Sequence, residues 1–290
     1  MTTLVLGSTG QLATHLRELW PQATFWSRAD ADLADPRSLR GKIEWARPSA
    51  IVIAAAYTAV DKAESEPELA WRVNAEAPAE IARAAAALDV PLVHVSTDYV
   101  FDGNKSEPYV ETDPVAPLNV YGRSKLGGEL AVASIATRYW ILRTSWVFSE
   151  HGHNFVKTML RLGRERHRLS VVADQVGRPT YAGDLARVID VLLRPGGAAV
   201  PYGLHHVGGG PVTTWHGFAT AIFRRACEMG LLPTAPQLQA IPSSQYPTPA
   251  RRPLSSVLQP AASLAAALPQ QPDWTAGLGT SLHALIALGR

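Results

Sequence analysis

The chain has 290 residues, 47% of them hydrophobic and 18% charged, with a formal net charge of +2. That is an ordinary globular composition, long enough for one α/β domain and a smaller lobe, and its near-neutral balance gives no support for a nucleic-acid or membrane surface. The single cysteine, Cys227, excludes an internal disulfide and fits a reducing compartment, and no apolar run approaches the ~18–20 residues that span a bilayer. The first strand starts almost at Met1 and leaves no room for a signal peptide, so a cytoplasmic protein is expected.

Thr3 to Leu6 reads as a short strand followed directly by G-S-T-G-Q-L-A and a helix with Leu12, Leu16 and Leu19 on one face. Gly7, Thr9 and Gly10 form a tight turn in which glycines let the backbone approach a pyrophosphate, while Gln11 and Leu12 open a helix whose N-terminus faces its charge. Ala13 is small enough for the helix to pack closely on the strand. This order of strand, glycine loop and helix points to a dinucleotide.

Ala23 to Trp26 is the second strand, ending at Ser27-Arg28. An acidic residue there would bind a ribose 2′-hydroxyl, whereas a hydroxyl and a guanidinium suit a 2′-phosphate. NADP(H) is therefore preferred, with NAD(H) kept open by the nearby Asp30 and Asp32. D-L-A-D-P leads into a helix with Leu39, Ile43 and Ala46 on one side. Ala50 to Ala56 is an apolar third strand of the kind found when both faces of a parallel sheet are covered. Its small end, Ala54, Ala55 and Ala56, leaves space for a flat ring system, followed by Tyr57 and by Thr58, which is available to a phosphate or ribose. Glu64, Glu66 and Glu68 are a solvated helix start, and Glu76 to Leu88 is an alanine-rich helix.

The strand ending Val93-His94-Val95 places Ser96 and Thr97 at its carboxyl edge, where ligands sit in open α/β sheets. Pro117 and Asn119 prepare a turn into a helix carrying Tyr121 and Lys125, whose spacing of four puts them on one face about 6 Å apart. An ammonium ~6.5 Å from a phenol, at an effective dielectric of ~20, favours the phenolate by about 2.5 kcal/mol, or roughly two pKa units. Tyr121 is thereby expected to move down toward the range useful for acid–base work, with Thr97 orienting the reacting oxygen. Strand and helix alternate four times before Tyr121, which predicts a doubly wound parallel sheet.

Beyond it, Tyr139 to Arg143 is a strand, and Trp146 just past its end could wall a sugar or base or simply fill a core. Asn154 opens a helix and could donate to a diphosphate. His151 and His153 flank a glycine with no carboxylate at a helical spacing, so no metal site is expected. Leu169 to Val172 is a strand, Tyr181 to Leu193 a helix, Leu193 to Gly203 a surface loop and Leu204 to Val207 a strand. T-T-W caps a helix reaching Met229. Y-P-T-P-A-R-R-P has too many prolines for a helix and reads as a rigid extended loop whose Arg251 and Arg252 could clamp a diphosphate. Asp273 starts a last amphipathic helix with Trp274, Leu278, Leu282 and Leu285 spaced for burial.

Together the glycine loop, Thr97, Tyr121 and Lys125 resemble the extended short-chain dehydrogenase/reductases. The strings A-Y-T-A-V-D-K-A-E-S-E-P-E, S-T-D-Y-V-F-D-G, P-L-N-V-Y-G, R-T-S-W-V-F, N-F-V-K-T-M-L-R-L and Y-P-T-P-A-R-R-P narrow the resemblance to the dTDP-4-dehydrorhamnose reductase family. The resemblance implies a Rossmann-like α/β fold, with a dinucleotide domain over 1–143 rejoined by about 168–193, and a smaller, mainly substrate-binding C-terminal lobe over 144–290. It implies NAD(P)H-dependent reduction of a dTDP-6-deoxy-4-ketohexose, by a monomer or homodimer that uses neither nucleic acid nor membrane. Tyr121 would protonate the C4 oxygen, Lys125 would bind the nicotinamide ribose and lower the tyrosine pKa, and Thr97 would assist at the keto oxygen. Gly10 to Leu12, Asp32 with Leu33, and Ala56 to Thr58 would meet the cofactor. Thr97, Asp98, Tyr99 and Trp146 would meet the sugar nucleotide. Some relatives bind magnesium at a dimer interface through glutamates; His15 stands at the first such place and the chain ends in Gly-Arg, so no metal-linked dimer is expected.

Related chemistries separate on single residues. A dehydratase would follow the threonine with aspartate and glutamate, but Asp98 is followed by Tyr99. An epimerase usually has an acidic second-strand end, unlike Ser27-Arg28. A non-catalytic NADP-binding subunit related to the family would not need the intact Thr97, Tyr121 and Lys125.

Overall fold

The computed structural model describes residues 2–194 and 200–289, so the middle of the expected loop from Leu193 to Gly203 lies outside the described residues. Strands β1 (Thr3–Leu6), β2 (Thr24–Trp26), β3 (Ala50–Ile53), β4 (Leu92–Thr97) and β5 (Tyr139–Thr144) join the strand Gly203–His206 in one six-stranded sheet. Its order is Gly203–His206, β5, β4, β3, β1, β2, and every pairing is parallel. All four residues of β3 are buried, as the apolar run predicts for a strand covered on both faces.

One face packs on helix α2 (Leu39–Ala46), the helix Ala77–Leu88 and the Tyr121 helix, Val120–Ile135. The other packs on helix α1 (Gln11–Leu19) and the helix Ala182–Leu193. The strand order reverses between β1 and β3, so a crevice opens outside their carboxyl ends, where open α/β sheets bind ligands. Ala54 to Ala56 are not part of β3: Ala54 and Ala55 donate their N–H groups to Leu6 O at 3.0 and 2.9 Å and turn the chain across that crevice.

The second lobe has its own aromatic core, with Phe148, Phe218, Phe223 and Trp274 among its buried members. The expected strand near Leu169 belongs here, since Arg168–Val172 pairs in parallel with Gln237–Ile241. The chain therefore returns to the large sheet only with the helix Ala182–Leu193 and the strand Gly203–His206, later than the expected 168. Gln237–Ile241 shows no clean alternation, because its side chains are mostly exposed, and it leaves no strand signal in the sequence. Among the described residues no helix is long and apolar enough to cross a membrane.

Candidate active site

Gly7 follows β1 with φ +117°, a conformation that side chains rarely adopt, and a Cβ there would meet Ala55 N at 3.2 Å. Gly10 precedes α1, and a Cβ on it would meet nothing within 4 Å, so the side from which a diphosphate would approach is open. The first turn of α1 carries no acidic residue and no side-chain cap, which leaves its backbone N–H groups free for an anion. Leu12 is buried in the core and contributes only backbone here, while Thr9 and Thr58 are exposed on either side of the crevice.

A cavity of about 390 Å³ lies over the β1–β3 reversal and is lined by Gly7, Ser27, Arg28, Asp32, Leu33 and the Ala55–Tyr57 turn, among others. This gathers half of the expected cofactor residues; Thr9, Gly10, Gln11, Leu12, Ala54, Thr58, Tyr121 and Lys125 lie outside its wall. At its rim the acidic residues are already engaged. Asp30 accepts from the N–H and hydroxyl of Ser27 at 2.8 and 2.7 Å. Asp32 accepts from Ala34 N and from Arg28 Nε, at 2.9 and 3.1 Å. The Arg28 side chain is 80% exposed, which leaves most of its guanidinium for a ligand phosphate.

The residues expected to form the acid–base group gather near the carboxyl end of β4. Asn119 caps the Tyr121 helix, accepting from Gly122 N at 2.7 Å and donating to Arg251 O at 2.7 Å. The helix lies flush on its neighbours. A Cβ at Gly122 would stand 2.2 Å from Tyr99 O, and one at Gly128 would stand 2.1 Å from Asn74 O. Behind it, Glu129 holds Arg143 of β5 through contacts of 2.6 and 2.9 Å and accepts from Ser96 of β4 at 2.5 Å, all buried.

Tyr121 and Lys125 are both buried, and the Thr97 hydroxyl lies close enough to the phenol to favour its ionised form. The expected lowering of the Tyr121 pKa does not occur. Burial pushes the phenol up to about 12; Thr97 opposes this and the Asp98 carboxylate adds to it. Burial also pushes Lys125 down to about 8 against the pull of Glu129, and its ammonium donates to Val95 O at 2.7 Å. Burial dominates both groups, and neither counts the other among the causes of its shift. Asp98, 1% exposed, accepts from Thr97 Oγ1 at 3.0 Å, and burial pushes its carboxyl up to about 6. Tyr99 meets Tyr121 edge to face, with centroids 5.6 Å apart.

Several substrate residues have other engagements. Asn154 caps the helix Phe155–Glu165, and its amide donates to Gln11 Oε1, Ser149 O and His151 O, so it has no free donor for a diphosphate. Arg252 forms a two-pronged pair with Asp61 at 3.0 and 2.8 Å and also donates to Ala250 O, so it anchors its own loop instead of standing free as a clamp. Arg251 is exposed. Trp146, at φ +50°, stacks on Trp215 with centroids 3.7 Å apart, so one of its faces is covered by protein.

Sequence reasoning missed Asn74. It lies in a π-helical turn, Arg72–Glu76, whose extra residue carries the amide inward. Asn74 bonds Tyr57 N and Tyr57 O at 2.9 and 3.0 Å and donates to Ser124 Oγ at 2.9 Å; Ser124 in turn donates to Tyr121 O. One buried amide thus joins the turn after β3 to the Tyr121 helix. No single-residue pattern announces a π turn.

The family profile described as the RmlD substrate binding domain matches residues 1–286. The chain belongs to that family. Among RmlD relatives, the dTDP-4-dehydrorhamnose reductase of Burkholderia thailandensis is 43% identical over 298 residues, covering 99% of this chain and 100% of its own. That of Escherichia coli is 42% identical, covering 98% of each. The crystal structure of the Bacillus anthracis dTDP-4-dehydrorhamnose reductase in complex with NADP superposes with a TM-score of 0.90 at 35% identity, covering 98% of this chain and 100% of that one. A UDP-glucose 4-epimerase from Thermus thermophilus complexed with NAD, at 22% identity and TM-score 0.78, shares the RmlD fold.

Proposed function

We propose that this chain reduces the 4-keto group of dTDP-4-dehydro-L-rhamnose to dTDP-L-rhamnose, with NADP(H) preferred over NAD(H). The observation that carries the reading is a buried, protonated phenol influenced by the Thr97 hydroxyl and one helical turn from the buried Lys125, beside a dinucleotide crevice, in a chain of this family. The residues around the crevice suit such a cofactor: an open glycine turn, free N–H groups on α1, and a guanidinium at the rim whose neighbouring carboxylates are engaged.

A bound nicotinamide supplies the hydride. Reduction of a ketone needs an acid, and a phenol held at about 12 is fully protonated at neutral pH, so Tyr121 enters in the donating state. Its proton goes from Oη to the C4 oxygen. Thr97 donates to Asp98 and influences the phenol, and it is assigned to orienting the phenol and to a second contact with that oxygen. Lys125, fixed by Val95 O, places a cation where the phenolate forms and favours it once the proton has left. Asp98, Tyr99 and Trp146 are assigned to the sugar nucleotide. Arg252 and Asn154 are assigned to shaping the seam rather than to direct contact. The reaction is assigned to the cytoplasm and to a monomer or homodimer; the single cysteine supports a reducing compartment.

Turnover of the dTDP-4-keto sugar with NADPH and with NADH, with the C4 configuration of the product read by NMR, tests this. The expected product is dTDP-L-rhamnose with a higher kcat/KM for NADPH. Tyr121→Phe should lose about 100- to 10,000-fold in kcat while NADPH binding persists. Full activity in that variant would overturn the mechanism, and no turnover of the keto sugar by the native chain would overturn the substrate.

A further inference from the structure

One turn along α1 from the phosphate loop, the helix meets the segment that follows the strand Val147–Phe148. There His15, Glu150 and His151 each offer one ligand atom, and these atoms all lie within 4.8 Å of one another. Glu150 Oε1 is 3.7 Å from His15 Nε2 and 3.7 Å from His151 Nε2, too far for a hydrogen bond. His15 and Glu150 are each 6% exposed, and both Nε2 atoms are buried without a hydrogen-bond partner. Buried ring nitrogens aimed at a shared carboxylate, yet bonded to nothing, call for a ligand between them.

The surroundings are arranged as for a metal. Glu18 Oε2 lies 3.3 Å from His15 Nδ1, which draws the ring proton to Nδ1 and turns the Nε2 lone pair toward Glu150. The Tyr181 hydroxyl donates to the Glu150 carboxylate at 3.2 and 3.3 Å, fixing its orientation. We propose that His15 Nε2, His151 Nε2 and Glu150 Oε1 bind a first-row transition-metal dication of the zinc class within a single chain. Two imidazoles with one carboxylate are a zinc donor set, whereas magnesium and calcium take oxygen ligands. With metal–ligand bonds of ~2.0–2.1 Å, neighbouring donors around tetrahedral zinc stand about 3.3 Å apart, so binding draws each imidazole a few tenths of an ångström closer to Glu150 and brings the two ring nitrogens, within 4.8 Å of each other, to the same spacing. Glu18 Oε1, 3.6 Å from His151 Nε2, or a water completes the fourth position.

Read alone, His151 has no carboxylate at a helical spacing; the fold brings it one from its neighbour and a second imidazole from α1. This is not a magnesium site between subunits, because every donor comes from one chain. The ion would tie α1 to the segment entering the helix Phe155–Glu165, at the joint where Asn154 already reaches Gln11 at 3.0 Å.

The test uses the untagged full chain, stripped with EDTA and titrated with Zn²⁺ against a chromophoric chelator, with Co²⁺ as the spectroscopic probe. One Zn²⁺ should bind per chain, Co²⁺ should show the intense visible bands of a tetrahedral site, and roughly a hundredfold excess of Mg²⁺ should not displace it. His151→Ala should weaken Zn²⁺ binding more than about 100-fold, beyond the 10- to 100-fold that loss of an outer partner such as Tyr181 costs. His153→Ala, an exposed neighbour, should leave it unchanged. Partly exposed His151 keeps the test decisive if buried His15→Gln fails to fold. Absence of stoichiometric binding, equal affinity in His151→Ala, or displacement by Mg²⁺ would overturn the site and leave an ion-pair cluster of His151 with Glu18 and Glu150.

Discussion

The crevice over β1 and β3 and the face presented by the second lobe are built from different materials. The crevice is made of backbone and small side chains: the Gly7 turn, the Ala54–Ala56 segment and the free N–H groups of α1. The lobe presents larger side chains already paired with protein, Trp146 on Trp215 within the lobe, and Arg252 on Asp61 and Asn154 on Gln11 across to the first region. A site of the first kind is already shaped before anything binds. A site of the second kind can change shape when one pair is exchanged for a contact to ligand, and so suits recognition of a sugar nucleotide.

The sharpest way to break this contrast is to attack what holds the acid–base helix to the sheet. Glu129→Ala leaves Arg143 charged and buried without its partner, and should cost about 3–5 kcal/mol in urea unfolding, with the Tyr121 chemistry lost alongside. A loss below ~1 kcal/mol would mean that the helix is held by packing alone.

A smaller effect is expected at the boundary between the two regions. The rise of the Asp98 carboxyl from 3.8 to about 6 opposes its ionised form by about 3 kcal/mol. The folded state binds this proton more tightly than the unfolded chain, so the cost is absent below pH 4 and fully present above pH 6. Asp98→Asn should therefore raise stability by up to about 3 kcal/mol at pH 8 and leave it nearly unchanged at pH 3.5, as chemical denaturation at the two pH values would read. Equal stabilisation at both would place the gain elsewhere than in the buried charge.

The smallest effect belongs to the lobe side. Arg252→Ala removes a partly exposed pair and should cost up to ~1 kcal/mol of stability. KM for the sugar nucleotide should rise while the dissociation constant for NADPH holds. A matching loss of NADPH affinity would show that the two regions are not separable.

The same contrast explains what could be read in advance. Gly7, the alanines after β3 and the Tyr121–Lys125 spacing each leave a local mark, because a backbone-lined crevice needs small residues in order and a helix puts residues four apart on one face. Asn74, Trp215 and Asp61 leave none, since each matters only through a partner far along the chain. The His15–Glu150–His151 cluster is of that second kind. The direction of the Tyr121 pKa was missed for a related reason: spacing gives the distance between two charges but not how much water each has lost.

Gly122 and Gly128 seat one helix directly against the carbonyls of Tyr99 and Asn74. Contacts that close at both places allow neither sliding nor rolling, so Tyr121, the proposed proton donor, is a fixed point in the molecule. Whatever adjustment a sugar ketone needs to reach it must then come from the ligand or from the opposing lobe, and the side of the ring that receives hydride is decided by that approach rather than by any motion of the acid.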